Sequence, residues 1–78
     1  MTQSRAENAE KAPFGLTRRE LEVLRHAAEG RTSSQIAELL GITSRTAEIH
    51  SHVIVVKFGV AGIPQAVAIA VREGIIAP

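Results

Sequence analysis

A tight corner between two helical patterns, in residues 32–59, most constrains the fold of this chain. The stretch reads TSSQIAELLGITSRTAEIHSHVIVVKFG. Apolar residues recur at helical spacing up to Gly41, and a longer helical pattern follows Thr43 and ends at Gly59. Two helices joined by so short a turn hold the second helix outward, so that its exposed side can enter a groove.

The longer pattern, residues 44–58, has one local ambiguity. Its residues 53–56 read VIVV, and β-branched residues favour strands, so a strand over residues 51–58 is the local alternative. A stripe of inward positions at spacings of three and four favours a helix instead: Ala47, His50, Ile54 and Phe58. Because Gly59 also supplies a C-terminal stop, we predict a helix.

Capping signals and a proline locate the other helices. Thr17 with Glu20, and Thr32 with Gln35, fit the capping box, in which each of two side chains three residues apart bonds the backbone N–H of the other. Pro64 suits the first position of a last helix. The sequence therefore predicts an all-α, bundle-like domain with helices at about residues 17–29, 33–40, 44–58 and 64–73.

The last helical pattern has no polar side over residues 66–71, which read AVAIAV. A helix of this kind is normally covered on every side, and three other short helices are too few to cover it. An apolar face left uncovered on a small domain indicates a surface for a partner.

The length and composition of the chain narrow its class. Its 78 residues suffice for one small domain, which we place at residues 16–78, after a polar lead or linker, residues 1–15, that we expect to be disordered. Within that lead, Phe14 is a candidate hydrophobic anchor that folds back on the domain. The absence of cysteine excludes disulfides and thiolate metal sites. No apolar run approaches the roughly 20 residues of a membrane span and no signal peptide is visible, so we expect a cytoplasmic location without a membrane partner.

Three motifs, taken together, carry a family resemblance. They are LTxRExxVL at residues 16–24, IAxxLxIT at residues 36–43 and TxxxHxxxIxxKFGV at residues 46–60. Over about residues 16–76 the chain resembles the LuxR-type (GerE-like) helix-turn-helix domain of bacterial transcription regulators. The resemblance implies sequence-specific binding to double-stranded DNA for transcriptional regulation, with the third helix in the major groove and a homodimer contact through the fourth. When bound, such a domain is expected on the bacterial nucleoid.

The same resemblance implies roles for individual residues. The positions that face base edges are Glu48, Ile49 and His52. The positions that meet phosphates are Arg45, Thr46 and Lys57. The dimer contact falls on apolar side chains of the fourth helix, Val67, Ile69, Ala70 and Val71.

Three departures from the family pattern weaken the expected phosphate contacts. The family usually has a basic residue at one or both of positions 55 and 56, where this chain has Val55 and Val56. An arginine common near position 63 is replaced by Ile63, and Ala47 stands where valine is usual. With a net charge of only +1, these departures leave an alternative open: a helix-turn-helix module for interaction with a protein partner, with weak or no DNA binding.

Catalysis is not indicated by any set of residues in this sequence. It has no nucleophile–base pair, phosphate-binding loop or acid pair, so we predict no enzyme activity and no cofactor. His50 and His52 lie two residues apart on a helix and therefore point in different directions, so they cannot converge on one metal ion. No metal site is predicted, and His50 is expected to be a structural histidine.

Overall fold

Four helices make up the computed structural model, which describes residues 13–77. They are α1 (Arg18–Ala28), α2 (Ser33–Leu40), α3 (Ser44–Phe58) and α4 (Ile63–Arg72), and residues 13–77 contain no strand. A 3-10 turn, Pro13–Gly15, precedes α1 and packs against α3. The all-α prediction is confirmed, and every helix boundary lies within one residue of its predicted position. The disorder expected for residues 1–12 lies outside the described residues.

Threonine side chains begin three of the four helices. On α1, the Glu20 backbone N–H donates to Thr17 Oγ1 at 3.1 Å, and the Thr17 N–H donates to Glu20 Oε1 at 3.0 Å. Thr32 and Gln35 form the same reciprocal pair at the start of α2. Both capping boxes predicted from the sequence are confirmed, and each satisfies two backbone donors that a helix start leaves unpaired.

The corner between α2 and α3 is three residues long. Gly41 adopts a left-handed conformation with φ of 70°, which glycine reaches without steric cost. The next residue, Ile42, donates its backbone N–H to the Ala37 carbonyl at 3.0 Å and packs its side chain against the core. Thr43 then caps α3 by accepting from the Thr46 N–H at 3.0 Å. The corner therefore ends one helix and begins the next without an irregular segment between them.

The central helix of the domain is α3, which contacts the other three helices and the 3-10 turn. Ala47, Ile54 and Phe58 are buried on its inner side, and His50 beside them is half-buried. The strand alternative for residues 51–58 is therefore wrong. Tertiary packing outweighs the local strand preference of the β-branched residues, because a helix places these side chains together in the core. The helix also ends favourably on Gly59, which has φ of 69°.

The fourth helix packs through its smallest side chains. Ala66 and Ala70 are completely buried, and Val67, Ile69 and Val71 are half-buried against the core. Ala70 therefore has no surface to offer a second copy, and the dimer contact predicted for this helix stays a prediction. The outward side of α4 consists of Pro64, Gln65, Ala68 and Arg72. The helix is therefore less apolar on its exposed side than its sequence indicated.

No single helix in residues 13–77 is long and apolar enough to cross a membrane. The pair α3 and α4, with a bend of 58° between them, has the length and composition of a span only when the two are taken together.

Candidate nucleic-acid interface

One side of α3 is exposed along its whole length. Five of its exposed side chains lie on one side of the helix and form a line that we call the outer stripe: Arg45, Glu48, Ile49, His52 and Val56. The stripe lies opposite the buried side, because α3 places successive residues about 100° apart. The corner and the core contacts of α3 thus present a continuous strip of side chains to the outside.

The outer stripe mixes charge with apolar surface. Arg45 and Glu48 carry opposite charges, His52 offers ring nitrogens, and two aliphatic side chains, Ile49 and Val56, are 51% and 64% exposed. The three residues predicted to face bases all lie on this stripe. Val56 lies on it as well, where the sequence alone did not distinguish it from the half-buried Val55.

Hydroxyl groups join the beginnings of α2 and α3. Ser34 Oγ on α2 lies 3.4 Å from Ser44 Oγ on α3, so the N-termini of the two helices are adjacent. Thr46 lies beside the outer stripe, is half-buried, and accepts from the Thr43 hydroxyl at 2.9 Å. Helix N-termini favour anions because their first backbone N–H groups are unpaired and the helix dipole is positive there.

The predicted phosphate contact Lys57 is engaged within the domain. Its ammonium donates to Glu20 Oε1 at 2.7 Å and to the Gly15 carbonyl at 2.7 Å. The Lys57 side chain is 28% exposed, whereas that of Glu20 is 7% exposed. Its role at a phosphate stays a prediction, and its observed role is to tie the end of α3 to the start of α1.

The environment of the Glu20 carboxylate favours its ionised form. Burial raises the pKa of this group, but hydrogen bonds from Lys57 and Thr17, together with the charge of Lys57, outweigh that effect. The net result is a pKa below the ordinary value of 4.5. The ionised carboxylate is therefore part of the folded structure, since the same oxygen accepts from the Thr17 backbone and from Lys57.

A stacked pair of aromatic rings lies near this ion pair. The rings of Phe14 and Phe58 have centroids 4.4 Å apart and an interplanar angle of 19°. Phe14 reaches this position with φ of 61°, a conformation uncommon for any residue other than glycine. The expectation that Phe14 folds back on the domain is confirmed, and residues 13–15 thereby attach to the end of α3.

Three of the six arginines in residues 13–77 have a carboxylate neighbour. Arg19 lies 3.2 Å from Glu22, Arg31 pairs with Glu29, and Arg72 lies 3.6 Å from Glu73. Within residues 13–77, the arginines without an ion pair are Arg18, Arg25 and Arg45. Of these, only Arg45 lies on α3, so the outer stripe carries a single cation that no described residue neutralises.

Residues 13–77 contain no group of three or more histidine, aspartate or glutamate side chains that could hold an ion. His50 is half-buried and His52 is exposed on the outer stripe, which agrees with their predicted divergence.

Two helices joined by a three-residue corner, with the second helix presented outward, define a helix-turn-helix domain. Residues 15–70 match the family of bacterial regulatory proteins called the luxR family. The chain belongs to this LuxR family and carries its DNA-binding helix-turn-helix domain. The predicted resemblance is thereby confirmed over most of the chain.

Full-length regulators are among the proteins to which the chain is similar. It is 44% identical over 63 residues to the transcriptional activator protein BjaR1 of Bradyrhizobium diazoefficiens, covering 81% of this chain and 26% of that protein. It is 46% identical over 63 residues to the transcriptional activator protein AhyR of Aeromonas hydrophila, covering 81% of this chain and 24% of that protein. A transcriptional regulatory protein of Bacillus subtilis, YxjL, is 39% identical over 69 residues, covering 88% of this chain and 32% of YxjL. The chain therefore spans about a quarter to a third of the length of these relatives.

Replacement of Glu20 by glutamine tests the ion pair through its pH dependence. Glutamine keeps an oxygen for the Thr17 cap, as Gln35 does on α2, but removes the charge that faces Lys57. We expect Glu20→Gln to lower the free energy of unfolding at pH 7 by roughly 1–3 kcal/mol. Because the folded-state pKa of Glu20 is lowered, its stabilisation is present above the unfolded pKa and is lost as pH falls through the folded pKa.

The measurement is urea unfolding followed by circular dichroism between about pH 7 and pH 3. The difference between wild type and Glu20→Gln should shrink as the solution is acidified. Glu22→Gln is the control, because its partner Arg19 is exposed and such pairs contribute about 0–1 kcal/mol. A difference between wild type and Glu20→Gln that stays constant across this range would contradict the role assigned to the carboxylate.

Proposed function

We propose that this domain regulates transcription by inserting the outer stripe of α3 into the major groove of a specific DNA sequence. The observation that carries the proposal is the exposure of five α3 side chains in one line on a domain of the LuxR family. The four of them from Arg45 to His52 span about 10 Å along the helix axis, at 1.5 Å per residue. A major groove about 12 Å wide admits an α-helix, whose diameter with side chains is about 10–12 Å.

Three side chains of the stripe have the chemistry to recognise base edges. The Glu48 carboxylate can accept a hydrogen bond from the amino group of cytosine. A His52 ring nitrogen can donate to a guanine acceptor, and Ile49 can contact the methyl group of thymine. These contacts would give the domain its sequence preference.

Phosphate contacts would come from the edges of the stripe. The adjacent N-termini of α2 and α3, with the hydroxyls of Ser34 and Ser44, offer an anion-binding surface on one side. On the other side, Lys57 would exchange its contact with the Gly15 carbonyl for a phosphate oxygen. If each subunit meets about three phosphates, the logarithm of the affinity of a dimer would fall against the logarithm of salt concentration with a slope on the order of −5.

The domain would bind as a homodimer through α4. Ala68 occupies the middle of the exposed side of this helix, and the half-buried Ile69 and Val71 flank it. A two-fold contact through this side of α4 would be isologous, and an axis that passes at Ala68 would place each Ala68 near its counterpart. Two copies of α3 would then reach successive major grooves, about one helical turn apart.

Selection of bound duplexes from a random DNA pool tests the proposal. The 78-residue chain, shown to be folded by circular dichroism, is incubated with the pool at moderate salt. Enrichment of a motif with two-fold symmetry would support both specific recognition and the dimer. Enrichment of a motif without symmetry would retain the specific recognition and contradict the dimer.

A second candidate function is capture of a protein partner by the outer stripe. The observation in its favour is the exposure of Ile49 and Val56 on a helix with little net charge. If the folded chain enriches no DNA sequence in the selection, the proposal of specific DNA binding fails and this second function is favoured.

Replacement of Val56 by lysine should strengthen DNA binding. Val56 lies about 6 Å beyond His52 along α3, at the rim of the groove where phosphates lie. Because Val56 is 64% exposed, lysine fits there without loss of core packing. Each lysine that meets a phosphate should steepen the salt slope by about 0.9.

Fluorescence anisotropy at several salt concentrations measures this effect. Ala28→Lys is the matched control, since it adds the same charge at an exposed position on α1. Equal gains in affinity from Val56→Lys and Ala28→Lys would show that only net charge matters and that position 56 does not lie at the DNA.

Replacement of Ala68 by glutamate should dissociate the dimer. The two carboxylates would lie near each other across the two-fold axis and repel. The exposed position of Ala68 means that the fold of each subunit should be unaffected. Sedimentation velocity is the measurement, with Ala28→Glu as the control of equal charge. A dimer that persists in Ala68→Glu would exclude α4 as the contact. Wild type that binds a duplex with two half-sites as a single subunit would exclude it as well.

A further inference from the structure

We propose that Arg45 reads a guanine base, and is not the phosphate contact that the family resemblance implies. The inference rests on the proposed insertion of α3 into the major groove and adds a specificity-determining residue to that surface. It also names part of the target, because it requires a G·C pair near the start of α3 in each half-site.

The position of Arg45 on the helix carries the inference. At 100° per residue, Ile49, His52 and Val56 all lie within about 40° of Arg45 around the helix axis. All four side chains are exposed, so Arg45 belongs to the middle of the outer stripe and not to its edge. Thr46, one residue later, is rotated to the side and is half-buried. A side chain that lies in the middle of the stripe and at its N-terminal end points to the floor of the groove. Phosphates lie along the edges of the stripe and beyond its C-terminal end, where Val56 lies.

The place of Arg45 along α3 agrees with this assignment. It is the second residue of the helix, after the cap Thr43 and the first residue Ser44. In helix-turn-helix proteins the N-terminal residues of the second helix contact base edges. A long arginine side chain at this point therefore reaches the bases before it reaches either backbone.

The charge of Arg45 is available for such a contact. No carboxylate of residues 13–77 forms an ion pair with it, although Glu48 is exposed one helical turn away. A guanidinium group donates two parallel hydrogen bonds to O6 and N7 of guanine, which is the commonest specific contact in the major groove. Glu48 is complementary to cytosine, so the two neighbouring side chains together favour a G·C-containing step.

A lysine substitution separates a base contact from a phosphate contact. Arg45→Lys keeps the positive charge, which suffices for a phosphate, but loses the planar pair of donors that fits guanine. The duplex selected by wild type is changed one base pair at a time, and the affinity of each duplex is measured for wild type, Arg45→Lys and Arg45→Ala. We expect Arg45→Lys to lose about 5- to 100-fold of discrimination at one G·C pair and to keep the preferences elsewhere.

A second probe removes only the acceptor on the base. Replacement of the guanine at that pair by 7-deazaguanine keeps base pairing and the phosphates but deletes N7. Wild type should lose several-fold in affinity for this duplex, and Arg45→Ala should bind both duplexes equally. Arg18→Lys is the control, because Arg18 is also exposed and without an ion pair among residues 13–77 but lies on α1.

The possible outcomes distinguish this inference from the proposed function. If wild type discriminates among duplexes and both Arg45→Lys and Arg45→Ala keep every preference, Arg45 meets a phosphate and the inference is overturned. If Arg45→Ala weakens binding to all duplexes by the same factor, the inference is overturned in the same way. If wild type itself shows no preference, the proposed function fails first. Thermal melts of the variants should match that of wild type, because Arg45 is exposed.

Discussion

The burial of one side of α3 is the interaction on which the rest of this domain depends. Ala47, Ile54 and Phe58 pack against the other three helices, and the opposite side of the same helix forms the outer stripe. The contacts that stabilise the domain therefore also fix the orientation of the outer stripe. Because close-packed interiors tolerate little movement, the exposed side chains of α3 are held in a fixed relation to one another and to the corner.

The outer stripe carries little positive charge, and this affects which contacts can supply the free energy of DNA binding. Nonspecific affinity comes almost entirely from lysine and arginine at phosphates. Here Lys57 is paired with Glu20, and two exposed aliphatic side chains occupy the outer stripe. A larger share of the binding free energy would then come from base edges, which favours discrimination between sites over strong attachment to any DNA.

Local chemistry explains which features the sequence could predict. The capping boxes at Thr17 and Thr32, and the left-handed Gly41, involve residues within one helical turn, so the sequence alone located the helices to within one residue. The contacts that it missed join distant positions. Lys57 and Glu20 are 37 residues apart, and the capping box had already accounted for Glu20. The complete burial of Ala70 likewise depends on how α4 packs, which a continuous apolar run does not reveal.

The Glu20 carboxylate serves two elements at once, since a single oxygen accepts from the Thr17 backbone and from Lys57. The effects of substitutions at positions 17, 20 and 57 are therefore coupled. A neutral residue at position 20 would leave a lysine at position 57 without its counter-charge, and an apolar residue at 57 would leave a buried carboxylate unpaired. Related sequences should therefore either keep all three residues or replace them together. This predicts correlated substitutions between the start of α1 and the end of α3.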